Sequence, residues 1–162
     1  MSAVQYRVLQ VREEYFLKEM LYEALFVPDG QKPFHPSILE NPNIRKYISN
    51  WGRDDNDIAI VAMRQDQLIG AIWGRSFKLS NSGYGYVDDH TPEISMAVKE
   101  GFRNMGIGNQ LLSKIEEAYF NLSVRQLSLS VDIRNRAIHL YKRRNYQEFK
   151  TEGSSATLVK QL

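Results

Sequence analysis

Cysteine is absent from this 162-residue chain, which excludes disulfides, thiolate metal sites and a cysteine nucleophile. A strong charge of one sign is also missing. Against 21 Lys and Arg stand 19 Asp and Glu, a formal net charge of +2, so there is little drive toward nucleic acid or an anionic membrane, although a pI near 8.8 allows a local basic patch. No apolar run approaches the eighteen or so residues of a membrane span, and Arg7, Arg12, Glu13, Glu14, Lys18 and Glu19 break up any signal-like core in the first stretch. A soluble cytoplasmic protein with no membrane partner is expected. The three histidines, His35, His90 and His139, have no metal-ligand spacing, so no metal is expected. H-E-x-x-H, G-x-S-x-G and the P-loop pattern are not found. Gly83-Tyr84-Gly85 lacks the third glycine of a dinucleotide fingerprint, because position 88 is Asp. Repeats and low-complexity segments are missing too.

What is present is enough apolar material for one core: 43% of residues are hydrophobic, and the length fits a single domain over residues 1–162. The chain is organised around Thr91 to Asn121. TPEISMAV alternates as a buried strand, with Ile94, Met96 and Val98 on one side and Glu93, Ser95 and Ala97 on the other. Ile107, Leu111, Leu112, Ile115, Ala118, Tyr119 and Leu122 then make a helical stripe. Between strand and helix lies Arg103-Asn104-Met105-Gly106-Ile107-Gly108. A helix begins with amides that no intrahelical carbonyl accepts, and with partial positive charge, so it attracts an anion. Gly106 and Gly108 remove the Cβ atoms that would hold a phosphate off, and either can take positive φ. A phosphate-bearing ligand is one reading, and a plain strand-to-helix turn is the other.

The rest of the chain supplies alternating and amphipathic segments in a definite order. Gln5 to Leu9 is a strand and Glu13 to Phe26 a helix, and Gly30 to Pro36 is irregular. A second helical stretch, Ser37 to Trp51, is interrupted at Asn41-Pro42. Asp57 to Arg64 and Leu68 to Phe77 are strands joined by Gln65-Asp66-Gln67 as a hairpin, with Trp73 and Phe77 packing across strands and Arg75 solvated. A polar loop, Leu79 to His90, leads to the central strand. After the central helix, Gln126 to Val131 is a strand parallel to Ile94–Val98 by the right-handed crossover rule. Ala137 to Arg144 is a short helix with Asn135 as its N-cap, and Tyr146–Lys150 and Ala156–Lys160 close the fold. The order β-α-α-β-β-β-α-β-α-β-β is an α/β (α+β) mixed sheet.

Arg103-x-x-Gly106-x-Gly108, placed after a strand and opening an amphipathic helix, resembles the acetyl-CoA pyrophosphate loop of the GNAT superfamily of N-acetyltransferases, Q/R-x-x-G-x-G/A. VDIRNRAIHLYKRRNYQEF resembles that family's later segment, in which an Asn opens a helix and a Tyr six residues on faces the coenzyme sulfur; Asn135 and Tyr141 have that spacing. The resemblance implies a mostly antiparallel sheet of about seven strands flanked by about four helices, with a splayed parallel pair holding CoA. It implies acetyl-CoA (coenzyme A) as cosubstrate. The pyrophosphate would rest on main-chain groups of Arg103, Asn104, Met105, Gly106, Ile107, Gly108 and Asn109. Backbone of Met96, Ala97 and Val98 would meet the pantetheine arm and the oxyanion. The first two helices and the loop that connects them would border the acceptor.

Acetyl transfer to an amine makes chemical demands that these residues can be tested against. Neutralising an alkyl ammonium of pKa about 10.4 at pH 7 costs about 4 kcal/mol without a base. Glu93, at the start of the central strand, is the candidate base, with Asp88, Asp89 and His90 as neighbours that could serve, and a β-bulge would change its face. Tyr141, with an ordinary phenol pKa near 10, is the candidate acid for the leaving thiolate. Without cysteine, direct transfer in a ternary complex remains. Arg134, Arg136, Lys142, Arg143 and Arg144 read as a solvated face. Asp54, Asp55, Asp57, Asp88, Asp89 and Glu93 favour a cationic small-molecule amine as acceptor. Peptide or protein amine acetylation is one alternative, and a non-catalytic acyl-CoA-binding regulatory module is another; a homodimer is also possible.

Overall fold

A computed structural model describes residues 2–162. Seven strands form one sheet in the order β1-β2-β3-β4-β5-β7-β6: β1 Gln5–Val8, β2 Ile58–Arg64, β3 Gln67–Arg75, β4 Glu93–Val98, β5 Gln126–Asp132, β6 Gln147–Glu152 and β7 Ser155–Gln161. Neighbours run antiparallel except β4 and β5, which are parallel. The helices among the described residues are α1 Glu14–Ala24, α2 Pro42–Arg45, α3 Ile107–Asn121 and α4 Ala137–Arg143. The expected mixed sheet and parallel pair are thus present.

The period-2 pattern of the strands divides the core between the two faces of the sheet. Ile60, Ile69, Ile72 and Ile94 face α3 and α4, where Leu111, Leu112, Ile115 and Tyr119 complete one cluster. Ala59, Val61, Ala71, Trp73 and Ala97 face the other way, against Phe16, Leu17 and Met20 of α1 and Tyr47 and Phe77 from loops. Leu111 and Leu112 are wholly buried, so truncating either to Ala would cost about 2–5 kcal/mol. Leu122 departs from the expected stripe: it lies beyond the last turn of α3 and is exposed. Glu116 takes an inward place instead, its charge met by Arg144, Lys160 and the Tyr146 hydroxyl.

Local differences from the expected boundaries have physical causes. The β2–β3 turn uses only Gln65 and Asp66, both at positive φ (50° and 61°), and Gln67 already pairs with Arg64. A two-residue turn of that hand matches the strand twist. The helix expected over Ser37–Trp51 is reduced to a 3₁₀ turn, Pro36–Glu40, and the single turn of α2. Pro42 forces Asn41 out of the helical region, where its side chain accepts from the Asn43 amide. Beyond α2, the carbonyls of Lys46, Ser49 and Asn50 accept from the Arg75 guanidinium. Arg75 is therefore not solvated. It is 1% exposed and holds Asp57 through Nε and Nη2 at 3.0 and 2.8 Å.

Candidate active site

The parallel pair β4–β5 makes a single register contact, Glu93 with Ser128, sealed by the Ser128 N–H to the Pro92 carbonyl at 3.0 Å. Past it, β5 stays with β7 through Asp132 and leaves β4. The main-chain groups of β4 facing the gap follow from antiparallel alternation. Lys99 N–H donates to the Ile69 carbonyl at 2.8 Å, so Ala97 and Ser95 also face β3, while Met96 and Val98 face the gap. The Val98 carbonyl accepts from Arg103 Nε at 2.9 Å. Among the described residues none pairs with Met96 N–H, Met96 C=O or Val98 N–H. Ala97, expected to join them, is committed to β3 by the same alternation, and its side chain packs toward α1.

At the end of the gap the chain turns into α3 through Asn104 at φ 61° and Gly106 at φ 80°. Among the described residues, none accepts from the amides of Asn104, Gly106, Ile107, Gly108 or Asn109; the first helical bond is Gln110 N–H to Gly106 O at 3.2 Å. The loop is solvent-facing, with Met105 49% exposed. A row of free amides at the positive end of a four-turn helix suits a diphosphate. The two glycines divide the labour differently from the expectation. Gly106 needs its positive φ and faces open space, whereas a Cβ on Gly108 would meet Leu140 Cδ2 at 3.1 Å and Met96 Cε at 3.3 Å. Gly108 therefore lets α3 approach α4 and β4, and it does not clear space for a phosphate. The Arg103 side chain spans from Val98 to Glu23; it anchors the loop. Asn109 Oδ1 accepts from Arg144 Nη1 at 3.0 Å.

Asn135 Oδ1 accepts from the Ala137 amide at 3.0 Å, but the N-cap position of α4 falls one residue later, at Arg136, so Asn135 braces the turn before the helix; its NH₂ pairs with none of the described residues. Tyr141 lies on the buried side of α4, edge-on to Tyr146 with ring centroids 5.9 Å apart. Its hydroxyl bonds to no described residue, and the residue as a whole is 8% exposed. Burial pushes this phenol up to about 12, above the ordinary value. The basic run is not uniformly solvated. Arg134 grips Asp132 and lies over Phe26 at 5.7 Å, and Arg144 is held by Asn109 and Glu116.

Glu93 is 3% exposed and retains the face read from the sequence. Its Oε2 accepts from the Tyr47 hydroxyl at 2.5 Å and its Oε1 from Gly85 N–H at 3.0 Å. Desolvation raises its pKa to about 7, against the opposing pull of the Tyr47 and Gly85 bonds and of Lys46. The other acidic residues do not gather around it. Asp88 caps its own turn through His90 N–H and Thr91 Oγ1, Asp89 takes Tyr86 and Leu79, Asp54 pairs with Arg53, and Asp57 is spent on Arg75. The expected acidic cluster therefore leaves Glu93 as the buried carboxylate that no ion pair holds, since Asp57, its side chain also buried, is paired with Arg75. Tyr47 has no counterpart in the sequence reading, while Asp57, expected toward the acceptor, and Arg75, expected in solvent, instead hold each other and the turn that carries Tyr47; the close Gly83 and Gly85 pair is the available signal for a tight approach. The irregular segment after α1 forms a cleft of about 530 Å³ lined by Phe34, His35, Ser37, Ile38, Asn41 and Pro42. No cluster of three or more His, Asp or Glu suited to a metal occurs among the described residues. No helix among the described residues is long and apolar enough to cross a membrane.

A model of the Acetyltransferase (GNAT) family matches residues 16–146. Similar solved structures include PaiA N-acetyltransferase from Thermoplasma acidophilum in complex with coenzyme A, with a TM-score of 0.70, 16% identity, and 99% of each chain covered. Ribosomal-protein-alanine N-acetyltransferase from Brucella melitensis superposes with a TM-score of 0.69 at 19% identity, covering 98% of this chain and 99% of that one. A GNAT-family acetyltransferase from Streptococcus pneumoniae gives 0.68 at 16% identity, over 99% and 100%. No curated protein matches in sequence.

Proposed function

Because the chain belongs to the GNAT acetyltransferase family, whose members use acetyl-CoA, we propose that it moves an acetyl group directly to the primary amine of a small molecule. The observation that carries this reading is the set of main-chain groups without partners where β4 and β5 part: Met96 and Val98 on β4, and the amides of Asn104, Gly106, Ile107, Gly108 and Asn109 where the chain enters α3. The Tyr141 hydroxyl, on the helix that follows β5, bonds to no described residue and is assigned to the same site by this reading. The donor set fits the coenzyme: amides of Asn104, Gly106, Ile107, Gly108 and Asn109 for a diphosphate, and Met96, Val98 and the free NH₂ of Asn135 for the amide-bearing arm. When bound, it supplies an acetyl thioester. Arg103 and Met105 take part by shaping the loop.

Glu93 receives the acceptor's proton. A carboxyl raised to about 7 is partly ionised at neutral pH and is a stronger base than an ordinary carboxylate, which narrows the gap to an ammonium of pKa about 10.4. Tyr141 Oη keeps its proton and donates a hydrogen bond. A phenol near 12 is a weaker acid than a thiol of pKa about 8.5, and full transfer would be uphill by roughly 5 kcal/mol. Met96 N–H is the donor available to a carbonyl oxygen that gains charge. A small acceptor is favoured over a peptide because the segment Ser82–Tyr86 covers the Glu93 side of β4, β5 and β7 and leaves less of that face open to a long chain.

Release of free thiol from acetyl-CoA over a panel of polyamines, amino acids, aminoglycosides and peptides tests this function. Acceptor-dependent release with small amines is expected. Release with peptides alone would shift the assignment to protein amines, and none over a broad panel would leave an acyl-CoA-binding module.

A further inference from the structure

The pair Gly83 and Gly85 is not explained by the coenzyme site or by backbone conformation, since neither has positive φ. Both are explained by contact. A Cβ on Gly83 would run into the Glu93 carboxylate and approach the Tyr47 hydroxyl at 2.8 Å; one on Gly85 would lie 2.7 Å from Leu129 C and 2.8 Å from Ser130 N. Contacts that short force atoms to move. The segment between β3 and β4 therefore lies flat on the sheet as a strap.

The strap is fastened on every side. Gly85 N–H donates to Glu93, and Gly85 O accepts from Ser128 Oγ at 2.7 Å on β5. Tyr84 N–H donates to the Tyr47 hydroxyl at 2.7 Å, and Tyr84 O accepts from Thr157 Oγ1 at 3.5 Å on β7. Lys46 Nζ donates to Ser82 O. Tyr47 follows α2 in a turn whose carbonyls are held by the buried Arg75–Asp57 pair. Glu93 is thereby bound at both oxygens.

We propose that Tyr47 and the Gly83-Tyr84-Gly85 strap are the positioning elements of the Glu93 carboxylate, and that an acceptor ammonium reaches it by displacing the Gly85 amide. Resting on the proposed role of Glu93 as base, this gives the exchange a simple chemistry: one N–H donor replaces another at Oε1, and Tyr47 keeps Oε2 in place. No covalent bond changes. The charged or titratable groups facing Glu93 are the Tyr47 hydroxyl and the Lys46 ammonium from the turn after α2, and Arg75 from β3. Arg75 opposes Glu93 in register but is turned to Asp57. From β5 it meets only Ser128.

Two measurements on the free protein test the positioning without needing an acceptor. Carbon-13 NMR titration of the Glu93 carboxyl should show its midpoint, near 7 in the native protein, move up in Tyr47→Phe, because the donor that stabilises the ionised form is gone. Amide exchange at Gly85, corrected for intrinsic rate, should gain about tenfold in protection as pH rises through 7, since a bond to an ionised acceptor is the stronger one. That gain should vanish in Glu93→Gln. Ser128→Ala, which removes a fastening of the strap and no hydrogen bond of the Glu93 carboxylate, should speed exchange at Gly85 and lower the acceptor KM with little change in the KM of acetyl-CoA. An unmoved midpoint in Tyr47→Phe, or Gly85 protection indifferent to pH, overturns the proposal. A shifted midpoint with an unshifted pH–rate profile would instead remove Glu93 as base and leave the positioning intact.

Discussion

The two ends of the β4–β5 gap are finished in opposite ways. Where β4 runs toward α3, the donors are main-chain amides of a largely exposed loop, without acceptors among the described residues. Where β4 begins, Glu93 and its partners are buried and every carboxylate oxygen is satisfied. One end is prepared for a ligand before the ligand arrives; the other must exchange an internal bond for an external one. The difference follows from chemistry. Exposed amides are hydrated at little cost while they wait, whereas a carboxylate taken out of water is costly unless it is hydrogen-bonded.

Breaking the closed end should cost the most. Arg75→Ala strands Asp57 in the core and frees the turn carrying Tyr47. A loss of about 3–5 kcal/mol in urea unfolding is expected, and a loss under 1 kcal/mol would mean that the pair does not hold this end together.

Glu93→Gln sharpens the comparison through pH. The folded pKa is raised to about 7 from 4.5, so the native state retains a proton that the unfolded chain has released. Its stabilising contribution is complete below pH 4.5 and is lost as pH rises through 7, by up to about 3 kcal/mol. The variant should lack this slope in unfolding free energy between pH 4.5 and 8, and should lose turnover.

Gly108→Trp probes the open end. The side chain would be driven into Leu140 and Met96, so coenzyme binding, read by calorimetry, should disappear together with about 1–3 kcal/mol of stability. Lost affinity at full stability would return Gly108 to the role of clearing space for phosphate.

The smallest effect is expected at Tyr141→Phe, which removes a hydroxyl bonded to no described residue. Turnover should fall about tenfold, or about 1.4 kcal/mol, with acetyl-CoA affinity nearly unchanged. Wild-type turnover would take Tyr141 out of the chemistry.

How well each end was legible depends on the sequence distance over which it is built. The open end lies within Met96–Asn109, where a strand, a positive-φ glycine and a helix start are written consecutively, and Asn135 and Tyr141 lie six residues apart, one just before α4 and one on it. The closed end joins Tyr47, Asp57, Arg75, Gly85, Glu93 and Ser128 from six separate segments. Arg75 looked like an ordinary solvated strand residue, because nothing adjacent to it reports the carbonyls of Lys46, Ser49 and Asn50. The face of Glu93 was legible by alternation; its seal was not. Ala97 was misassigned for a related reason: side-chain alternation is visible in the residue types, but the edge to which each main-chain pair points depends on which partner strand it bonds.

The sequence by itself determined the order of elements, the two apolar faces of the sheet and the glycine-bearing start of α3, since these depend on local φ preference and on periods of 2 and 3.6 residues. Tertiary structure decided that β5 leaves β4 after a single pair, that Gly108 serves packing against α4, and that Glu93 lies under a strap with its proton held near neutral pH. Those outcomes depend on which distant groups fill the space around a residue and on how much water they remove. No residue carries that information in its own neighbourhood of the chain.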